Sequence, residues 1–236
     1  MHLPENVVWA ICTVARSGSS WLSQLIASTH RLGYPDEYLL EWPQRCAEWG
    51  LSPTPSFEQY LALLVPAKST SNGVFAVKGS VDEMSPFFGI YPQAPCVWLR
   101  RANRLEQAIS WYRANDGEMW TRLRGSPTRE FPLPYSSSRI AYFLGEISRR
   151  ETAWEEFFRD RRSPPLILFY EDLTAAPLDA VRSIARYLSV DATNIQIAES
   201  EYWVVRDETT RVWLARAAKD LGVTDLSAAE FQRVTS

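Results

Sequence analysis

A chain of 236 residues, 46% of them hydrophobic, is long enough for one α/β domain with a substantial core, and its composition excludes a disordered polymer. Its formal net charge of −3 gives no general attraction to nucleic acid. With only two His, His2 and His30, and three well-separated Cys, Cys12, Cys46 and Cys96, neither a His-based triad, a zinc site nor a disulfide framework is expected.

Val7, Val8, Trp9, Ala10, Ile11 and Cys12 form a short apolar run, the pattern of a parallel strand covered on both faces. A small-residue turn follows, Arg16-Ser17-Gly18-Ser19-Ser20, and then Trp21, Leu22, Leu25 and Ile26 at helical spacing. Such a turn aims backbone N–H groups, hydroxyls and a helix N-terminus at one point, and Arg16 adds a positive charge. This is the pattern of an anion site, most often for phosphate. An ordinary strand-to-helix turn with Ser19 as N-cap fits the same residues. A triphosphate–Mg²⁺ loop needs GxxxxGK[ST]; here there is one Gly, Gly18, with no Lys after it, so a smaller anion suits the loop better.

His30 closes this first helix, and Arg31–Trp42 contains a turn with two adjacent carboxylates, Asp36 and Glu37. Phe57–Leu64 predicts a short helix between Pro55 and Pro66. Val74–Lys78 is a second strand. Its Lys78 is one of only three Lys among 25 Lys and Arg residues and interrupts an apolar run. A Lys buried there has to reach an anion or a carboxylate, whereas one on an edge strand can snorkel to water.

Cys96–Leu99 is a third strand and runs directly into Arg100-Arg101; Asn103–Asn115 then predicts a helix with Leu105, Ala108, Ile109 and Tyr112 on one face. Gly117–Tyr135 is polar and irregular and reads as a loop. Ser138–Arg159 is a long amphipathic helix, Leu166–Tyr170 a fourth strand followed by Glu171-Asp172-Leu173, and Pro177–Leu188 a further helix. The charged, Trp-bearing tail Ala198–Leu221 is left without an assigned element. Strands alternating with helices imply an α/β fold, a parallel sheet with helices on both faces, forming one domain over residues 1–236 with a core at about 6–190. No apolar stretch has the length of a membrane helix and the first residues carry no signal-peptide pattern, so the expected location is the cytoplasm.

Taken together, the ordered motifs resemble the PAPS-dependent sulfotransferases, with the closest likeness to the bacterial trehalose 2-sulfotransferase family. The family's RSGST-like loop is matched by Arg16-Ser17-Gly18-Ser19-Ser20, and its GxPxEY segment by Gly33-Tyr34-Pro35-Asp36-Glu37-Tyr38. Its Lys-bearing strand is matched by Val77-Lys78. Its RR…QAxSWxRA segment is matched by Arg100-Arg101, Gln107-Ala108-Ile109-Ser110-Trp111 and Arg113-Ala114. Trp120 and Tyr170-Glu171-Asp172-Leu173 complete the order. Ala102 and Asn103 stand where the family commonly has a charged residue and Asp.

The resemblance implies a P-loop-like sulfotransferase fold and the donor 3′-phosphoadenosine 5′-phosphosulfate (PAPS), which becomes PAP once the sulfonate is gone. It places the 5′-phosphosulfate at Arg16, Ser17, Gly18, Ser19 and Ser20, and the 3′-phosphate at Arg101 and Ser110 with Arg100 as a helper. An Arg fork meets a phosphate in two hydrogen bonds and a Ser hydroxyl adds a third. By the same resemblance Glu37 is the base for the acceptor hydroxyl, with Asp36 and His30 as rivals. Arg16 stabilises charge on the bridging oxygen, and Lys78 meets substrate or pairs with Glu37. No metal is required, because a sulfonate carries less charge than a terminal phosphate. The expected partner is a small-molecule hydroxyl acceptor, a sugar or glycolipid among the candidates, with no nucleic acid and no membrane-spanning segment. A homodimer is left open. A P-loop-like small-molecule kinase and a non-catalytic nucleotide-binding scaffold are the competing readings.

Overall fold

The computed structural model describes residues 7–117, 120, 133–202 and 207–222. Four parallel strands form one sheet: β1 (Val7–Thr13), β2 (Val74–Gly79), β3 (Cys96–Arg100) and β4 (Leu166–Phe169), in the spatial order β2-β1-β3-β4. The register pairs Val7 with Val74 and Cys12 with Gly79 on one side of β1, and Ala10 with Cys96 and Thr13 with Leu99 on the other. β3 and β4 pair from Val97–Leu166 to Arg100–Phe169.

Side chains alternate across a strand, so each strand feeds both faces of the sheet. Ala10, Cys12, Phe75, Val77, Cys96 and Trp98 face one core. Against them pack helices α2 (Trp42–Glu48), α3 (Phe57–Lys68), α4 (Val81–Ile90), α5 (Arg104–Asp116) and α6 (Ser137–Arg159). Trp9, Ile11, Val74, Ala76, Val97 and Leu99 face the other core, covered by α1 (Ser19–Ser28), α7 (Tyr170–Ala175) and α8 (Pro177–Tyr187). Helix α9 (Glu208–Asp220) returns to the first face, where Trp213, Ala217 and Ala218 join the core and Arg113 of α5 grips Asp207 through two hydrogen bonds of 2.7 Å. Both faces are covered, which is why the strands read as continuous apolar runs. The arrangement is the parallel α/β fold expected from the alternation of strands and helices, and it agrees with the P-loop-like fold that the family resemblance implies.

Several elements differ from expectation for local physical reasons. Helix α1 is capped by Gly18, at φ 91°, rather than by Ser19, which sits in its first turn. The helix stops at Ser28, and His30 lies beyond it at φ 52° with its ring Nδ1 3.2 Å from the Tyr34 hydroxyl. Helix α3 runs through Pro66 to Lys68, past the Leu64 end expected. The fourth strand ends at Phe169, and Tyr170 opens α7. Helices α2, α4, α7 and α9 were not expected. Helix α4 is signalled by Ser80 and Glu83, which make a capping box just before an apolar run interrupted by Pro86. The loop read over Gly117–Tyr135 lies mostly outside the described residues, as does the segment 203–206 of the tail. Among the described residues, no helix is long and apolar enough to cross a membrane.

The connections leaving β1 and β3, which are neighbours, run to opposite sides of the sheet. The carboxyl ends of these two strands therefore flank a topological switch point, where open α/β sheets form a crevice for ligands.

Candidate active site

The loop after β1 is wound tightly by two left-handed residues, Arg16 at φ 65° and Gly18 at φ 91°. Only glycine adopts this region without cost, and at Gly18 there is a second reason for its presence. A Cβ here would run into the ring of Tyr170, 2.8 Å from Cε2 and nearer still to Cδ2. Ser17 turns inward, fully buried, and its hydroxyl is hydrogen-bonded to that of Thr13. The carbonyl of Thr13 in turn accepts from the indole of Trp154 at 3.1 Å, tying α6 beneath the loop. Ser19 and Ser20 open α1, whose first turn carries no acidic residue. The positive end of the helix and its unpaired N–H groups are thus uncompensated from within.

On the β3 side of the loop, Arg16 Nε donates to Ser110 Oγ on α5 at 3.0 Å, and its guanidinium also donates to the carbonyl of Trp120. Gln107, one helical turn before Ser110, donates through Nε2 to the carbonyl of Ala15 at 2.8 Å. Arg101 follows β3 and is buried. It donates to the carbonyl of Arg16 at 3.3 Å, pairs with Glu106 at 2.9 Å and lies 4.7 Å above the Tyr170 ring. Its Nε is buried with no hydrogen-bond partner. Burial, followed by the charge of Arg101, lowers the pKa of Arg16 to about 10. Two guanidiniums held this close in a poorly solvated crevice favour a bound anion.

On the β2 side, Lys78 Nζ lies 3.2 Å from Ser20 Oγ and 3.5 Å from Glu37 Oε1. Its side chain is only 6% exposed, and that of Glu37 is 46% exposed. The strand parity accounts for the direction: Val74, Ala76 and Lys78 alternate onto the face that α1 covers. Glu37 arrives beside it because the segment after α1 runs along the outer edge of β2. Gly33, at φ 94°, lets the chain approach so closely that a Cβ would fall 2.7 Å from Ala76 Cβ. Asp36 then bridges to Val77, and Lys78 N donates to Asp36 O at 3.0 Å. The Asp36 carboxylate is engaged by the Glu37 backbone N–H at 2.8 Å. Helix α2 and α3 brace the turn behind: Arg45 donates to the carbonyl of Glu37 at 3.3 Å, and the Tyr60 hydroxyl to that of Tyr38 at 2.8 Å.

Arg16, Gly18, Ser19, Ser20, Arg101 and Ser110 therefore meet at the carboxyl ends of β1 and β3, with Lys78 and Glu37 on the β2 flank, whereas Ser17, expected among the donor-binding residues, is turned into the core with its hydroxyl on Thr13 and its N–H on the carbonyl of Val14. Arg100 does not join them. Its side chain shares the face of Trp98, lying 4.2 Å above that ring, and pairs with Glu151 of α6 at 3.2 Å. Glu151, 5% exposed, also takes Arg104, so it is the anionic centre of a structural cluster.

Three contributors escaped the sequence reading: Glu106, the Tyr170 ring beneath Gly18 and Arg101, and Gln107 as a clamp on the loop backbone. Glu171 adds a fourth contact, accepting from the N–H groups of Ala102 at 3.0 Å and Asn103 at 3.2 Å and so fixing the turn that follows Arg101.

The family model described as Stf0 sulphotransferase matches residues 54–220, which takes in Lys78, Arg100, Arg101, Ser110 and Tyr170–Leu173 but begins after the Arg16–Ser20 loop. No curated protein matches the chain significantly. A solved sulfotransferase from Alicyclobacillus acidocaldarius superposes with a TM-score of 0.54 at 16% identity, covering 96% of this chain and 99% of that one. Weaker likenesses, each with a TM-score of 0.46, are to mouse sulfotransferase SULT7A1 complexed with PAP, at 14% identity over 97% of this chain and 74% of that one, and to the sulfotransferase domain of the Synechococcus PCC 7002 olefin synthase, at 15% identity over 91% and 94%. The first of these neighbours shares the fold. The family match spans most of the chain, from the segment before α3 to the end of α9, and on that ground the protein belongs to the Stf0 sulphotransferase family.

Proposed function

We propose that the chain transfers a sulfonate group from PAPS to a hydroxyl of a small molecule, with sugars and glycolipids the acceptors to try first. The observation that carries this reading is the gathering of two cationic grips at one strand–helix loop: Arg16 with the Ser19-Ser20 start of α1, and buried Arg101 with Ser110, joined by the hydrogen bond from Arg16 to Ser110. A ligand with two separated anionic groups suits such a site. The unpartnered Nε of Arg101 and the depressed pKa of Arg16 fit the donor on chemical grounds, because a bound anion would supply the missing acceptor and offset the crowded positive charge.

When bound, PAPS supplies an activated sulfonate and a phosphate leaving group. The N–H groups of the Arg16–Ser20 loop and the hydroxyls of Ser19 and Ser20 hold phosphate and sulfonate oxygens at the N-terminus of α1. Arg16 stabilises negative charge at the leaving oxygen, and Arg101 with Ser110 holds the 3′-phosphate. Glu37 receives the acceptor's proton. It is open enough to meet an acceptor from solvent, while Lys78, Arg45 and Tyr60 fix its side chain and the backbone around it. Positioning and electrostatics thus carry most of the rate, as in phosphoryl transfer.

The test is to incubate the protein with PAPS and a panel of hydroxyl acceptors, following PAP formation and the acceptor's mass. Sulfonated product with at least one acceptor, absent without enzyme, supports the reading. PAP binding with no turnover on a broad panel favours the scaffold.

A further inference from the structure

Glu106 is an anomaly in an anion site. It occupies the first turn of α5, where its backbone N–H bonds to the Asn103 side chain at 2.9 Å, and its carboxylate pairs with Arg101 at 2.9 Å. Both side chains are largely buried, with 8% of Arg101 and 12% of Glu106 exposed. A phosphate seeking the Arg101 fork therefore meets a carboxylate already on it, in a crevice where screening by water is weak.

We infer that Glu106 is a built-in competitor for the 3′-phosphate: it neutralises Arg101 in the empty site and is displaced from, or repels, the phosphate that binds there. This rests on the reading above that Arg101 takes the 3′-phosphate. Two consequences follow from the geometry. The guanidinium stays ordered and paired while the site is empty, so little side-chain freedom is lost when ligand arrives. The product PAP is also held less tightly than two guanidiniums and a hydroxyl would otherwise hold it. Glu106 is accordingly a specificity-determining residue that tunes the 3′-phosphate contact and leaves the 5′ end alone.

Calorimetric titration with PAP and with adenosine 5′-phosphate separates these terms. Glu106→Gln keeps a hydrogen bond to Arg101 without the charge, and Glu106→Ala serves as a second variant if the first is poorly folded. The expected result is PAP binding tighter by about tenfold, equivalent to about 1.4 kcal/mol, with affinity for adenosine 5′-phosphate nearly unchanged. PAP affinity that is unchanged or lower, or a gain shared equally by both nucleotides, overturns the inference. Arg101→Ala distinguishes the two levels. If it abolishes the preference for PAP while the Glu106 variants bring no gain, only the competitor role falls. If the preference survives Arg101→Ala, the assignment of the 3′-phosphate falls and the competitor role with it.

Discussion

Arg16 and Ser110, 94 positions apart in the chain, are joined by a 3.0 Å hydrogen bond across the crevice between β1 and β3. This contact links the loop that opens α1 to the helix that follows Arg101, so the two anion grips of the proposed donor site form one unit. Gln107 and Arg101 reinforce it by binding the backbone carbonyls of Ala15 and Arg16.

Replacing Glu37 with Gln should leave PAP affinity within about twofold of the parent, because Glu37 lies on the β2 flank away from Arg101 and Ser110. Turnover should fall by about 10²–10⁴, the usual contribution of a general base. Equal turnover in variant and parent, measured at saturating PAPS and acceptor, removes Glu37 from the role.

Gly18→Ala tests why the loop needs glycine. The left-handed φ alone costs about 1–3 kcal/mol, and the overlap with the Tyr170 ring adds to it. A fall of several degrees in melting temperature and weakened PAP binding are expected. A variant that melts with the parent would show that Tyr170 does not confine the loop.

Glu151→Ala should destabilise the fold by about 3 kcal/mol, since it withdraws a buried carboxylate shared by Arg100 and Arg104. Denaturant titration checks this. A loss under about 0.5 kcal/mol would mean that the remaining partners of these guanidiniums, Glu155 among them, suffice.

The anchor of α9 on α5 should be sensitive to acid. Hydrogen bonds from Arg113 hold the Asp207 carboxyl well below its ordinary range, despite partial burial. The unfolded chain therefore takes up the proton first. The stabilisation is complete above the ordinary Asp pKa of about 3.9 and is lost as pH falls toward the folded value. The stability gap between parent and Asp207→Asn should be constant at neutral pH and shrink below about pH 4. A gap that stays the same down to pH 2 would contradict the assignment.

Much of this was legible in the sequence because it depends on periodicity or on rare residues. The apolar run of β1, the solitary Lys78 within β2 and the paired Arg100-Arg101 at the end of β3 each announce themselves. The separation of Arg100 from Arg101 was also readable in principle: Arg100 shares the parity of Cys96 and Trp98 and so turns to the α6 face, where Glu151 waits. What was not legible depends on contacts distant in sequence. Nothing local to Gly18 reveals Tyr170, nothing in Glu106 reveals that its carboxylate meets Arg101, and Glu171 gives no sign that it accepts from Ala102 and Asn103. Helix α9 does carry a local start signal, Asp207 as N-cap accepting from Thr210 N, but its anchor on Arg113 joins segments 94 positions apart.

The most direct test of the two-anion site is calorimetric titration with PAP, adenosine 5′-phosphate and Mg²⁺·ATP in parallel. Paired cationic grips at Arg16–Ser20 and Arg101–Ser110 predict tight PAP binding that weakens at least about tenfold, roughly 1.4 kcal/mol, when the 3′-phosphate is absent. Preference for Mg²⁺·ATP, or no binding of any of the three, would contradict it.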